Sequence, residues 1–443
     1  LNPRFPMASR KRFSRHHTKK QSSPAASSPS APQLTRTETV TIEKLIYGGD
    51  GLARLADGRT LFVPGVVSGE KVEVEITELR RTFARGRLTQ VIEASPDRIE
   101  PPCPHYGRCG GCHLQHLSYP AQIAAKSEFI REALQRIGGL NWSEPIPIRT
   151  GPEWSYRNRT QFKLHFNPHT KQSEAGFFAA HSHRIEPITE CRVLDPSLNQ
   201  VLARLAHLPA THISAAIVTL DLATDAAAGQ DSSESASISA SLPFVGLSTR
   251  PIVRQVAGFQ YRFDTECFFQ VNSFLLDTLV KEVLSSLTSS PEAEAIAVDL
   301  YAGVGLLTLP LAHRFHRVFA AEAAPHTAHF AEINLKANQI PNVTFQRLST
   351  EEWLIEHLDL VDQVAFAVVD PPRAGLSPEV VDGLINLRPQ RLVYVSCDPS
   401  TLARDVRRLS TAGFVIETIT GIDFFPQTYH IETVVQMRWE GFN

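Results

Sequence analysis

Two hydrophobic rhythms divide the chain. From Glu38 to Ile92 short apolar stretches alternate with polar positions and are cut by glycines: Val40-Thr-Ile-Glu43, Gly48-Gly-Asp-Gly51, Leu61-Phe-Val-Pro64, Lys71-Val-Glu-Val-Glu-Ile76 and Arg85-Gly-Arg-Leu-Thr-Gln-Val91. Short strands between glycine turns predict a small β-barrel. Tyr119 to Ile137 has helical periodicity and ends at Gly138-Gly139, which predicts a helix. From about Phe259 the pattern becomes alternating strands and helices, the mark of a mostly parallel α/β sheet. Its apolar strands are Ala295–Leu300, Val318–Ala321, Ala365–Val369 and Leu392–Val395. A terminal strand follows Asp423-Phe-Phe-Pro-Gln-Thr-Tyr429, with His430 and Glu432 expected on one face of it. The domains read as a basic arm over 1–35, a β-barrel over 36–94, a central segment over 95–258 and an α/β domain over 259–443.

Length and composition change this picture little. The chain has 443 residues, enough for about three domains. A net charge of −2 gives no global pull toward nucleic acid, so any basic surface must be local. One such region is the acid-free start, with Arg4, Arg10, Lys11, Arg12, Arg15, Lys19 and Lys20, followed by a Ser/Pro/Ala-rich stretch; it reads as a disordered arm. Arg80, Arg81, Arg85 and Arg87 form another, either a solvated strand edge or an RNA contact. Tyr156-Arg-Asn-Arg-Thr-Gln-Phe-Lys-Leu-His-Phe166 interleaves cations and aromatics on an expected strand, which suits base stacking and equally suits a half-buried strand. Residues 223–241 read as a loop insertion. No apolar run is long enough to span a bilayer and no secretory signal is visible, so a cytoplasmic location is expected.

Six cysteines in such a chain suggest metal or catalytic thiols. Cys103, Cys109 and Cys112 stand at C-x5-C-x2-C spacing, with Gly110-Gly111 able to wrap the backbone tightly, and Cys191 is the nearest fourth thiol. The spacing suits an iron–sulfur site, with zinc as the alternative.

In the α/β region Tyr301-Ala-Gly303-Val-Gly305 forms a glycine turn after a strand, with Glu322 at the end of the next strand. An acid so placed can bind ribose hydroxyls. Thr308 stands where a dinucleotide fingerprint has its third glycine, which disfavours NAD and points to another adenosine cofactor. Asp370-Pro-Pro is a stiff loop at a strand end. Cys397, in Ser396-Cys-Asp-Pro399, sits between a strand and a helix start, where a thiolate is favoured; a buried structural cysteine is the alternative. Glu432 is a candidate base or a strand-end charge.

Five of these stretches occur in an order and spacing that resemble the RNA uracil-5 methyltransferase family. They are Phe268-Phe-Gln-Val-Asn272, Asp299-Leu-Tyr-Ala-Gly-Val-Gly305, Asp370-Pro-Pro-Arg-Ala-Gly375, Val395-Ser-Cys-Asp-Pro-Ser-Thr-Leu-Ala-Arg-Asp405 and His430-Ile-Glu-Thr433. The resemblance covers roughly 38–440. It implies a class I, Rossmann-like S-adenosylmethionine-dependent sheet, an amino-terminal TRAM domain and a central α+β part holding a 4Fe–4S cluster on Cys103, Cys109, Cys112 and Cys191. By the same resemblance Gln270, Tyr301, Gly303, Glu322 and Asp370 would bind S-adenosylmethionine, Cys397 would be the nucleophile and Glu432 the base. Ala302 and Leu306 depart from a cysteine and an asparagine common in the family, at positions without a chemical role. The expected partner is a single-stranded or loop region of RNA, ribosomal ahead of transfer RNA, met by a monomer. The cluster is expected to be structural, since nothing in the sequence links the four cysteines to the sheet edge. A non-catalytic iron–sulfur RNA-binding factor is the rival expectation.

Overall fold

A computed structural model describes residues 36–167, 171–205, 218–225, 238–241, 247–287 and 294–441. The basic arm and most of the 223–241 segment lie outside the described residues. Thr37–Asn443 form one compact unit.

Six strands open it: β1 (Arg36–Thr41), β2 (Lys44–Leu45), β3 (Gly51–Arg54), β4 (Thr60–Val63), β5 (Lys71–Leu79) and β6 (Phe83–Glu93). They form one sheet in the order β1-β5-β6-β4-β3-β2. Val40, Ala53, Leu61, Val63, Val72 and Ala84, drawn from nearly every strand, share one core, so the sheet curls round itself. β5 alternates buried and wet positions as its sequence predicts. Arg80, Arg85 and Arg87 are ion-paired at the surface: Arg80 with Glu78, Arg85 with Glu78 and Asp50, Arg87 with Glu75.

The helix α1 (Tyr119–Ala133) starts with proline in its first turn and ends in one wider π turn over Leu134–Gly138, closed by Gly139 at φ 65°. The left-handed conformation there favours glycine. β7 (Ile148–Arg149) follows. A five-stranded antiparallel sheet comes next, built from β8 (Arg159–Asn167), β9 (Gln172–Phe178), β10 (Ile185–Pro187), β11 (Val218–Thr224) and β12 (Ile238–Ala240). The helix α2 (Pro196–Leu205) covers it with Leu198, Val201 and Leu202. Tyr156 and Phe162 are buried here, so the aromatics of that stretch serve the core.

The hairpin β13 (Ile252–Val256) and β14 (Phe259–Phe263) and the helix α3 (Leu276–Leu284) lead into the α/β domain. Its strands are β15 (Ile296–Leu300), β16 (Arg317–Ala321), β17 (Val343–Gln346), β18 (Val364–Val369), β19 (Arg391–Ser396), β20 (Phe414–Ile422) and β21 (Glu432–Trp439). The helices are α4 (Thr308–Ala312), α5 (Pro325–Ala337), α6 (Thr350–Glu356), α7 (Pro378–Leu387) and α8 (Pro399–Thr411). With β7 added, the sheet runs β17-β16-β15-β18-β19-β21-β20-β7. β15 to β19 run parallel to one another, and β21 is antiparallel to both of its neighbours, β19 and β20. Strands such as Val364–Val369 are apolar almost throughout because both faces are covered. One face packs on α1, α6, α7 and α8 through Ile130, Trp353, Val380 and Leu402, the other on α3, α4 and α5 through Leu279, Leu309 and Phe330. Two details differ from expectation. The glycine turn, expected to lead into a helix near Leu306, is followed by one that begins only at Thr308 and has five residues. His430 precedes β21 rather than lying on it, because the strand begins at Glu432.

A buried ion pair ties α1 to the segment after β20. Lys126 Nζ donates to Asp423 Oδ1 at 2.5 Å and to the Phe425 carbonyl at 3.0 Å, and Tyr119 donates its hydroxyl to Asp423 at 3.0 Å. Both partners of the pair are fully buried. Removing one partner strands a charge out of water. Lys126→Met alone is therefore expected to lower unfolding free energy by about 3–5 kcal/mol in urea melts. Combining it with Asp423→Asn should restore part of that loss.

Candidate active site

Five strands bring five groups to one edge of the sheet. The chain order β15, β16, β17 runs outward on one side and β18, β19 on the other, so the direction of winding reverses between β15 and β18. Crevices of this kind open at the carboxyl ends of the strands. β15 ends in Tyr301 and the glycine turn, β16 in Glu322, β18 in Asp370 and β19 in Cys397. β21 runs the other way, so its beginning reaches the same edge. Ser396 pairs with Thr433 in that ladder, and the next step of the register sets Cys397 opposite Glu432.

The glycine turn is held in an unusual shape. Tyr301 has φ 67°, Gly303 57° and Gly305 92°. A positive φ at tyrosine costs about 1–3 kcal/mol and persists only where the surroundings impose it. Glu322 imposes it in part: its Oε2 accepts the Gly303 N–H at 3.0 Å and its Oε1 the Ala324 N–H at 2.7 Å. Beneath the turn Thr308 Oγ1 donates to Asp299 Oδ2 at 2.5 Å. Burial raises the Asp299 carboxyl to about 7 although that hydrogen bond opposes it, with Glu322 adding to the rise. Gln270 is buried in the segment between β14 and α3. That segment is tied down by Asn158, whose N–H donates to the Val271 carbonyl at 2.8 Å, and by Asn272, whose amide donates to the Phe424 carbonyl.

Around Cys397 the field is acidic. Burial, then Glu432, Asp370 and Asp398, push the thiol up to about 12, while Arg373 pulls it down. Glu432 is 2% exposed. Burial and the Asp370 charge hold its carboxyl well above the usual range, again opposed by Arg373. Asp370 is raised to about 7 by burial and Asp299. Asp398 caps α8, accepting the N–H of Ser400 at 2.8 Å and of Thr401 at 3.2 Å. A cysteine thiol beside two buried carboxyls at a sheet edge is an arrangement capable of covalent and acid–base chemistry.

A family model for tRNA (uracil-5-)-methyltransferases matches residues 252–439, and one for the TRAM domain matches residues 33–89. An RNA methyltransferase of Gloeobacter violaceus is 33% identical over 93% of this chain and 98% of its own. The 23S rRNA (uracil(1939)-C(5))-methyltransferase RlmD of Pseudomonas entomophila is 33% identical over 90% of this chain and 93% of its own. The chain belongs to the RNA (uracil-5-)-methyltransferase family. The crystal structure of a Pyrococcus abyssi tRNA (uracil-54, C5)-methyltransferase in complex with S-adenosyl-L-homocysteine shares the fold, with TM-score 0.67 at 24% identity, covering 90% of this chain and 100% of its own. The protein is thus an S-adenosylmethionine-dependent RNA (uracil-5-)-methyltransferase with an amino-terminal TRAM domain. No helix among the described residues is long and apolar enough to cross a membrane.

In this methyltransferase the four cysteines of the central segment are not remote from the sheet edge. Cys103, Cys109, Cys112 and Cys191 line a cavity of about 380 Å3 that Arg373 and His430 line as well. The loop between β20 and β21 folds against the cysteine segment and makes this possible. The His113 and Leu114 N–H groups donate to the Gln427 carbonyl at 2.9 and 3.0 Å, and the Tyr156 hydroxyl donates to the Pro426 carbonyl at 2.9 Å. Backbone N–H groups of Gly111, and of Val193 and Leu194, reach the sulfurs of Cys109 and Cys191.

Three neighbours of the site went unremarked in the sequence. Arg373 was visible inside Asp370-Pro-Pro-Arg, a lone cation in a stiff loop of acids. Tyr47 of the barrel reaches Asp398 Oδ2 at 3.5 Å and stands edge-on to Tyr429, with ring centroids 5.3 Å apart; no local pattern marks it. Lys126 gave no signal either. One outcome follows from the Thr308 hydrogen bond. Thr308→Val should raise the Asp299 carboxyl further above about 7, read by carboxyl-carbon NMR titration, because the one contact that favours the carboxylate is removed.

Proposed function

We propose that this enzyme transfers methyl groups to carbon 5 of a uridine in large-subunit ribosomal RNA through a transient bond between Cys397 Sγ and carbon 6 of the ring. The observation that carries this reading is the β19–β21 register, which sets Cys397 opposite Glu432 at the edge that also holds Asp370. Its named relatives at 30–33% identity over 90% or more of the chain are 23S rRNA enzymes, which supports a ribosomal target.

Carbon 5 of uracil is a poor nucleophile until a thiolate adds to carbon 6 and turns the ring into an enolate. S-adenosylmethionine supplies the electrophilic methyl and a sulfonium charge. Gln270, Tyr301, Gly303, Glu322 and Asp370 are the residues we assign to hold it. Arg373 favours ionised Cys397 and Glu432 alike. After transfer the proton on carbon 5 must leave so that the Cys397–carbon 6 bond can break, and Glu432 is the carboxylate assigned to accept it. The target base must be unstacked to reach the sulfur, as single-stranded or loop RNA allows. Phe268, 66% exposed and two residues from Gln270, offers such a base an apolar face.

The cysteine quartet fits a 4Fe–4S cluster better than one zinc ion. A tetrahedral ion draws its sulfurs to about 2.3 Å from itself and so to within about 4 Å of each other. No three of the four thiols have their sulfurs all within 4.8 Å of one another. A larger inorganic core suits the wider spacing, and the N–H groups aimed at sulfur are the contacts such a core receives. That Arg373 and His430 line the cysteine cavity supports a role near the RNA path as well as in folding.

Cys397→Ala is expected to abolish 5-methyluridine in mapped RNA and to trap no adduct with 5-fluorouridine transcripts; methylation intact in that variant removes the covalent reading. Glu432→Gln should still form the adduct while turnover falls about 10²–10⁴-fold. Since the thiol proton is held until high pH, adduct formation in the wild type should accelerate from about pH 7 to about 9 without levelling. Arg373→Met should slow it about three- to tenfold, by the same factor from about pH 7 to about 9. Separately, Cys109→Ser should lower bound iron and the cluster's visible absorption; unchanged iron counts against the quartet.

A further inference from the structure

Asp264, Cys267 and His326 gather a carboxylate oxygen, a thiol sulfur and an imidazole nitrogen within 4.8 Å of one another, away from the cysteine quartet. We propose that these three residues, with Glu266, bind a borderline-soft divalent metal ion, zinc fitting best, that fastens together the two loops flanking the cofactor residues.

The donors come from two elements held in place independently of any ion. β14 is docked on α5 through Asn334, whose Oδ1 accepts the Arg262 N–H at 2.7 Å and whose amide donates to the Arg262 carbonyl at 3.0 Å. That contact sets the loop after β14 beside the first turn of α5, where His326 lies. The loop itself is built stiff. Asp264 Oδ1 accepts the N–H groups of Glu266 at 3.0 Å and Cys267 at 3.2 Å. Arg159, reaching across from β8, donates to the Cys267 carbonyl at 2.5 Å and the Thr265 carbonyl at 2.9 Å. Asp264 therefore keeps its second oxygen for His326 Nε2, which stands 2.8 Å away, and Glu266 Oε2 is 3.9 Å from the same nitrogen. The Cys267 sulfur completes the group from a fully buried position.

The chemistry of the set suits such an ion. Zinc takes sulfur, nitrogen and carboxylate oxygen together in four-coordinate sites at about 2.0–2.3 Å. The donors of Asp264, Cys267 and His326, at most 4.8 Å apart, need to close by only about an ångström, and Glu266 approaches His326 from 3.9 Å. The ion enters where the Asp264 and His326 contact now shares a proton. Charges balance as well: one thiolate and two carboxylates oppose a divalent ion and the Arg159 guanidinium, which interacts with both Cys267 and Asp264. Buried charge is tolerated when so paired.

Position gives the ion a consequence. Cys267 precedes Gln270 by three residues and His326 follows Glu322 by four. An ion bridging them restrains the loop after β14 and the start of α5 together, so it is expected to raise thermal stability and tighten S-adenosylmethionine binding through preorganisation.

Cobalt(II) is the probe, added to the iron-loaded full chain. The expected result is one cobalt bound beyond the iron content, with a thiolate-to-cobalt charge-transfer absorption that zinc displaces. Cys267→Ser should lose that absorption, and the surface variant His326→Asn should bind cobalt at least tenfold more weakly, both with unchanged iron and circular dichroism. Zinc should raise the melting temperature of the wild type and not of His326→Asn. Absence of the absorption in the wild type overturns the proposal, as does an absorption that both variants retain. Metal binding is read without methyl transfer, so this failure is separable from failure of the catalytic reading.

Discussion

The antiparallel return of β21 beside β19 is the constraint on which the site depends. In an all-parallel sheet each strand delivers only its carboxyl end to the ligand-binding edge. A last strand laid in the opposite direction delivers its first residue, and that residue is Glu432. The ladder from Arg391–Arg438 to Ser396–Thr433 leaves Cys397 and Glu432 as the next pair. A slip of one residue would turn every side chain of β21 to the other face. Several contacts oppose such a slip: β21 is buried along most of its length, and Gln436 donates its amide to the Glu282 carbonyl and the Ser285 hydroxyl.

This geometry gathers groups that repel one another. Asp299, Asp370 and Glu432 are all driven toward their protonated forms by burial; the Asp299 charge raises Asp370, the Asp370 charge raises Glu432, and both Glu432 and Asp370 raise Cys397. Chains retain such conflicts where chemistry uses them. The strained Tyr301 belongs to the same pattern, since a positive φ at a large residue is kept by the Glu322 and Asp299 networks around it. A methyl donor bearing a sulfonium is the kind of ligand that such an acidic edge favours.

Much of this was legible in the sequence because the signals were local. Apolar runs such as Val364–Val369 mark strands buried on both faces, and glycine or proline after an acid marks their ends. Tyr301, Glu322, Asp370, Cys397 and Glu432, picked out by motif, lie at the end or start of a strand, whereas Gln270 lies in the segment between β14 and α3. What escaped was set by distant partners. Lys126 lies on a helix whose pattern says nothing of the Asp423 carboxylate that meets it. The basic and aromatic stretch around Tyr156 suited RNA and core equally, and only the fold buries Tyr156 and Phe162. The face expected to join His430 and Glu432 failed because β21 starts two residues later than His430, and strand ends are poorly marked by alternation. Nor did the sequence connect the four cysteines with the sheet edge, since the loop that joins them carries mainly backbone hydrogen bonds.

That loop, from Asp423 to Ile431, explains why the cavity lined by the cysteines reaches Arg373 and His430. It is anchored at its start by Lys126, in its middle by Gln122, whose amide donates to Gln427 Oε1 while its own Oε1 accepts the Gln427 N–H, and at its end by β21. Gln427 has φ 69°, a conformation a loop residue holds only when fastened on both sides. The same segment contributes Phe425, Thr428 and His430 to the cavity lined by the cysteines. Any group that the four sulfurs hold therefore supports one wall of the loop whose far end fixes Glu432. Structural and catalytic roles are not alternatives in this arrangement: stiffening the central segment stiffens the start of β21, and through the ladder the position of the carboxylate beside Cys397.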